Sequence, residues 1–186
     1  MTAEGESKAR LIIVCGLPGS GKTTHAKQVE QKLRAVRFCP DDWMDSLGIG
    51  LWDAGLRDRI EKLQWKLAQE ILALGNNVVI EWGTWGRSER DALRCRARAL
   101  GSAVELHFID VPVELLFDRI RRRNRESPPI TLEDIVKWAE TFDRPSAEEM
   151  ALFDAGSLTV PSARENLNSE SAERLAGPTD IPGLSK

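Results

Sequence analysis

The chain has 186 residues, 41% of them apolar, and carries 26 Lys+Arg against 29 Asp+Glu for a net charge of −3. That length suits one domain with one packed core. The pI near 5.6 excludes a global basic excess of the kind that holds a duplex, and leaves only a local basic groove for nucleic acid.

Met1 to Arg10 is polar and mixed in charge, so residues 1–9 read as a tail. The apolar stretch that follows is too short for a signal peptide or a membrane span, and the expected location is cytoplasmic. Leu11-Ile12-Ile13-Val14-Cys15 is an apolar run that predicts a buried strand over about 10–15. Residues 16–23 read Gly-Leu-Pro-Gly-Ser-Gly-Lys-Thr, which completes the phosphate-loop pattern G-x-x-x-x-G-K-[ST]. No Gly or Pro interrupts residues 24–34, so a helix over about 22–34 supplies the other half of the strand–loop–helix context.

Gly16, Gly19 and Gly21 let the backbone turn tightly and aim its N–H groups inward, where the helix N-terminus adds positive potential. Lys22 adds a point charge for the transferring phosphate, and Thr23 a hydroxyl for Mg²⁺. The nucleotide-binding set is Gly16, Pro18, Gly19, Ser20, Gly21, Lys22, Thr23 and Thr24. The ligand it predicts is ATP or GTP with Mg²⁺, since no base-reading motif separates the two.

Ala35 to Cys39 reads as a second strand, ended by Pro40, and Asp41 with Asp42 opens a short helix through Leu47. Two readings fit this acid pair. One acid is a general base for an acceptor hydroxyl, or the pair caps the helix; both hold if Asp41 faces the site and Asp42 caps. Ile60, Leu63, Leu67, Ile71 and Leu74 step by three and four, predicting a helix over 57–74 that Gly75-Asn76-Asn77 stops. Val78-Val79-Ile80 is a third strand and ends in Glu81, an acid placed to order the water shell of Mg²⁺ or to hold the acceptor. Trp82 and Trp85 flank Gly83-Thr84, as pocket walls or as packing against the next helix, and Arg87 either binds an anionic group or pairs with a nearby acid.

Ser88 as N-cap and Gly101 as stop bound a helix over 88–100, and Ala103 to Ile109 forms a fourth strand. Pro112 suits the first turn of a helix that runs to Arg123. On its basic face Arg119 and Arg123 stand four apart, just before Glu126-Ser127-Pro128-Pro129, so residues 119–131 are read as a short lid. The two arginines can then stabilise transition-state charge. Thr131 caps a helix to Phe142, and Leu158-Thr159-Val160 is a last short strand. Residues 161–186 turn polar, with isolated apolar residues, and read as a flexible tail in which a helix over 163–175 can be induced.

The alternation of strands and helices predicts an α/β fold: a parallel sheet of about five strands covered on both faces, with the ligand at the carboxyl ends of the strands. The domain spans about 10–160. Cys15, Cys39 and Cys95 lack metal-ligand spacing and read as free thiols. His25 is near enough to the loop to approach a nucleotide, or is an ordinary helix residue, and His107 lies within a strand.

Together the loop 16–23, the Asp41-Asp42 pair, Glu81 with Trp82-Gly83-Thr84-Trp85-Gly86-Arg87, and Asp110-Val111-Pro112 leading into the arginine run resemble the P-loop kinases. Within these the chain is similar to the branch holding polynucleotide 5′-kinases, zeta toxins and chloramphenicol phosphotransferase, and to small bacterial AAA family ATPases. The resemblance covers about residues 10–155. It implies a three-layer P-loop fold and transfer of a γ-phosphate to an acceptor hydroxyl, with Asp41 as base and Arg119 and Arg123 as lid arginines. Asp42, Glu81, Trp82, Trp85 and Arg87 form the expected acceptor side.

In polynucleotide kinases an Arg closely follows the acid pair; Trp43-Met44-Asp45 stands here instead. A small hydroxylated acceptor is therefore expected ahead of a polynucleotide 5′-hydroxyl. The remaining alternative is a nucleotide-dependent switch with no acceptor. No second Walker acid pair or sensor typical of ring ATPases is present. The protein is expected to be a monomer.

Overall fold

β1 (Arg10–Cys15) forms the centre of the sheet, and Leu11 to Cys15 are fully buried. A parallel strand covered on both faces needs such an unbroken apolar run. Each of its large aliphatic side chains contributes about 1.5–3 kcal/mol on burial. A charge at any of these positions would be left unpaired in the core. These features come from a computed structural model that describes residues 8–159. Residues 161–186, the helix expected over 163–175, and Val160 lie outside the described residues, as do residues 1–7.

β1 pairs on one side with β3 (Val78–Ile80) and on the other with β4 (Ala103–Ile109). β2 (Val36–Phe38) and β5 (Ala155–Thr159) are the edges, giving the order β2-β3-β1-β4-β5 with every pair parallel. Seven helices join the strands: α1 (Lys22–Leu33), α2 (Pro40–Ser46), α3 (Ala54–Ala73), α4 (Arg87–Ala99), α5 (Val113–Arg123), α6 (Leu132–Thr141) and α7 (Ala147–Met150). This is the covered parallel sheet expected from the element order, in the three-layer P-loop arrangement that the resemblance implies.

The departures are local. α3 begins at Ala54, three residues before the expected start at 57, because the Asp53 carboxylate accepts from the Leu56 N–H and starts the helix there. α4 is entered through Gly86 rather than Ser88: the Glu89 side chain reaches back to the Gly86 N–H, so Ser88 lies inside the first turn. Pro112 is the cap of α5 rather than its first turn. Thr131 caps α6 as expected, in a reciprocal box with Asp134. β5 starts at Ala155, three residues earlier than its apolar residues suggest. α7 is a single turn capped by Ser146, too short to leave a periodic signal.

Because all strands run the same way, the segments after β1, β2, β3 and β4 emerge on one edge. They carry Gly16, the Asp41-Asp42 pair, Glu81 and Asp110 respectively. That edge is where open α/β sheets hold their ligands.

Candidate active site

The loop after β1 is held between β4 and α5, which explains two of its glycines. Gly16 and Gly19 have φ of 147° and 80°. A Cβ on Gly16 would lie 2.6 Å from the Ile109 carbonyl oxygen; one on Gly19 would lie 2.9 Å from Ile120 Cγ1 and 3.1 Å from the Leu116 carbonyl. α1 starts immediately after, at Lys22, with no acidic residue in its first turn. Its leading N–H groups, with Thr23 and Thr24 in that turn, thus have no competing carboxylate and are available to an anion.

Lys22 is half-buried and donates from Nζ to the Leu17 carbonyl at 3.0 Å, folded over its own loop. Burial pushes its pKa down, opposed chiefly by Glu81 and Asp41 and reinforced by Arg123. Lys22, Asp41, Glu81 and Arg123 therefore share one electrostatic neighbourhood. The Ser20 hydroxyl in the loop is buried without a hydrogen-bond partner.

Glu81, 5% exposed, occupies the floor of this edge. Arg37 of β2 donates to one of its oxygens and also to Asp42, and reaches Glu30 on α1 at 3.2 Å. The other Glu81 oxygen, Oε2, is buried and accepts no hydrogen bond. Burial raises the Glu81 pKa, while Arg37, Cys39 and Thr23 lower it. Thr23 and an unspent carboxylate oxygen facing the phosphate loop are hard oxygen donors, and this pair fits Mg²⁺ with intervening water. Cys39, Asp42 and Glu81 also bring ligand atoms within 4.8 Å of one another. The Arg37 guanidinium already supplies the cation between those two carboxylates. The Cys39 thiol is pushed up to about 12, first by burial and then by Glu81.

Neither acid of the pair caps α2; Cys39 holds the cap position and Asp41 and Asp42 fall in the first turn. Their partners separate them. Asp42 is bound by Arg37, whereas Asp41 pairs with Arg57 of α3 at 2.7 Å, and the same guanidinium donates to the Leu51 carbonyl at 3.2 Å. Asp41 is the acid on the Lys22 side.

After α5, Arg125 pairs with Asp45 of α2, and the Trp52 indole N–H donates to the Pro128 carbonyl at 3.2 Å. The segment read as a lid is thus strapped across α2 and the α2–α3 loop. Arg123 pairs with Glu126. Arg119 donates to the carbonyls of Gly19 and Ser20 at 3.3 and 3.1 Å, so it braces the phosphate loop from outside.

Trp82 is in the core. Trp85 is partly exposed and meets Trp138 and Phe142 edge-on. Arg87 is exposed and faces Asp91 on its own helix at 3.6 Å. His25 is occupied by His107, Nε2 to Nδ1 at 2.8 Å, and burial lowers the pKa of both rings.

Three arginines were not singled out from sequence: Arg37, Arg57 and Arg90. Arg90 is fully buried, forms a two-bond ion pair with Glu149 at 2.6 and 2.9 Å, and donates to the carbonyls of Thr84, Trp85 and Asp143. A signal existed for it, since Arg90, Leu93 and Ala97 fall on one helical face. Arg37 also had one, as a charge between Val36 and Phe38 in a short strand. Arg57 looks like any exposed residue at the start of an amphipathic helix.

A family model described as an AAA domain matches residues 11–145. The curated proteins give no sequence match to this chain. Among solved structures, a chain of the Pnkp1/Rnl/Hen1 RNA repair complex is 22% identical, with a TM-score of 0.63 over 82% of this chain and 49% of that one. Kti12 of Chaetomium thermophilum, in complex with ADP-AlF3, is 18% identical, with a TM-score of 0.61 over 90% of this chain and 100% of that one. A sugar kinase from a Janibacter species is 20% identical, with a TM-score of 0.57 over 90% of this chain and 94% of that one. At these identities the likeness is one of fold.

Proposed function

The chain belongs to the AAA domain family, and from that premise we propose that it is an ATP-dependent phosphotransferase that moves the γ-phosphate to a hydroxyl of a small molecule. The observation that carries this reading is the grouping of Lys22, Asp41, Glu81 and Arg123 at the mouth of a complete phosphate loop. Arg57 holds Asp41 in place on the Lys22 side of that group, where it can meet an acceptor hydroxyl.

In the reaction, the acceptor oxygen forms a bond to the γ-phosphorus as the bond to the β–γ bridging oxygen breaks, and ADP leaves. The acceptor proton passes to Asp41. Lys22 leaves the Leu17 carbonyl for the phosphate oxygens, and Arg123 lies close enough to share the charge that develops there. Mg²⁺, when bound, neutralises phosphate charge; Thr23 and Glu81 are the residues that would hold it, Glu81 through water. Both acids have an arginine partner, and Asp41 is preferred as base because it is the one on the Lys22 side.

The test is label transfer from γ-labelled ATP with Mg²⁺ to a panel of hydroxylated small molecules. General-base loss costs about 10²–10⁴-fold, so Asp41→Asn should lose transfer by that factor while nucleotide affinity stays. Lys22→Ala should lose both. Slow phosphate release without any acceptor, unchanged in Asp41→Asn, would convert the reading to a nucleotide-dependent switch. Transfer confined to the 5′-hydroxyl of an oligonucleotide would select a polynucleotide kinase.

A further inference from the structure

Beside Asp41 lies a group of residues that the phosphate chemistry does not use. Trp52 of the α2–α3 loop is 46% exposed. Its ring is 6.4 Å from that of Trp138 on α6, which in turn is 6.1 Å from Trp85 after β3. All three indoles are partly exposed, and they form one aromatic cluster that joins the α2–α3 loop, the loop after β3 and α6. The Trp85 ring lies across Gly83, where an added Cβ would come within 2.6 Å of its Nε1.

Glu61 stands one turn beyond Arg57 on the same side of α3. It is partly buried and forms no hydrogen bond or ion pair among the described residues. Its electrostatic neighbours are Arg57 and Asp58 on α3, Asp41 on α2 and Glu89 on α4. The Glu89 carboxylate is taken up by the Gly86 N–H, next to Trp85. Glu61 therefore shares the electrostatic neighbourhood of Asp41 and of Glu89, whose carboxylate is bound beside the loop that carries Trp85.

The arginines around Asp41 have carboxylate partners: Arg37 with Glu30, Asp42 and Glu81, Arg57 with Asp41, and Arg125 with Asp45. An anionic acceptor would compete with those carboxylates, and a neutral one would not.

We infer that the acceptor is a neutral, hydroxyl-rich ring, stacked on the indoles of Trp52, Trp85 and Trp138 and held by hydrogen bonds to the carboxyl group of Glu61. This rests on the phosphotransferase reading and narrows its substrate class. Indole faces carry negative potential and accept the C–H face of a polyol or an aromatic ring in preference to an anion. A carboxylate next to them takes up ring hydroxyls and rejects analogues that lack them. Burial raises the Glu61 pKa to about 7. The carboxylate form, the stronger acceptor of hydroxyl protons, therefore gains population as the pH rises through neutrality.

Tryptophan-fluorescence titrations report acceptor binding separately from phosphate transfer. The probes are D-glucose, myo-inositol and adenosine as neutral rings, and gluconate and a short 5′-hydroxyl oligothymidylate as anions, each with ATP and Mg²⁺ and scored in parallel for label transfer. At least one neutral ring should quench saturably and more tightly than both anions. Glu61→Gln, nearly isosteric, should weaken it roughly 10-fold or more, the scale of a lost hydrogen bond to a charged group. It should also flatten the pH dependence of that binding near neutrality and leave ATP binding and the melting temperature as in the wild type. Trp85→Leu should weaken the same ligand, and thermal melting checks that it folds. Neutral-ring binding without transfer would uphold the ring-binding site and overturn its role as an acceptor site, and with it the phosphotransferase reading. No saturable binding of any neutral ring, tighter binding of gluconate or the oligonucleotide, or unchanged binding in Glu61→Gln would overturn it.

Discussion

Arg37 shows how one side chain can bind half of a buried carboxylate and leave the other half available to a cation. Its guanidinium takes one oxygen of Glu81 and leaves Oε2 buried without a partner, facing the loop that carries Thr23. A buried carboxylate is costly alone and tolerable when paired. Arg37→Met should therefore let Glu81 protonate, because burial already raises its pKa and the largest opposing influence would be gone. The expected outcome is a several-fold higher Mg²⁺ concentration at half-maximal nucleotide binding, with metal-free binding of ATP little changed. Equal Mg²⁺ dependence in the two proteins would remove Arg37 from this role. The phosphate loop was legible because eight consecutive residues carry it. The Arg37 and Arg57 pairs were not, because they join residues whose closeness arises only when β2, β3, α2 and α3 assemble.

Among elements, the loop after β3 is positioned by a single helix residue. Arg90 on α4 ties the Thr84 and Trp85 carbonyls to the Asp143 carbonyl and to Glu149 of α7, and the Asp143 N–H returns a bond to the Trp85 carbonyl at 3.0 Å. α7 has only one turn, so its place in the fold depends on this ion pair more than on apolar burial. Removing one partner of a buried pair costs about 3–5 kcal/mol. For a domain of this size each kcal/mol lowers the melting midpoint by about 2–4 °C, so Glu149→Gln should melt roughly 6–20 °C lower. Arg90→Met combined with Glu149→Leu should lose less than the sum of the two single changes, since no orphaned charge remains. Additive losses would show that the pair is not coupled. The sequence carried the long elements well, because β1 and α3 repeat one pattern over many residues. It misplaced the start of α4 by a residue, where Glu89 and a glycine outcompete Ser88 as the entry. It passed over α7, whose stability is tertiary.

For the molecule as a whole, the segment read as a lid joins the phosphate loop to α2 and the α2–α3 loop. α5 touches the phosphate loop through Gly19 and Arg119, and six residues after Arg119 the chain begins its crossing through Arg125–Asp45 and then Trp52–Pro128. Both partners of the Arg125 pair are partly exposed, and such pairs are worth about 0–1 kcal/mol. A strap of that strength can hold the segment over α2 and still release. On the phosphotransferase reading both states would be used, because closure would exclude water from the phosphate and opening would release product. Asp45→Asn should speed amide exchange over residues 124–131 while leaving β1 protected and the melting midpoint within a degree or two. High salt should act the same way on the wild type, since screening at about 1 M shortens the reach of the pair to about 3 Å. If lid exchange is unchanged by both, Trp52 and the turn itself hold the lid, and Trp52→Phe becomes the change that opens it.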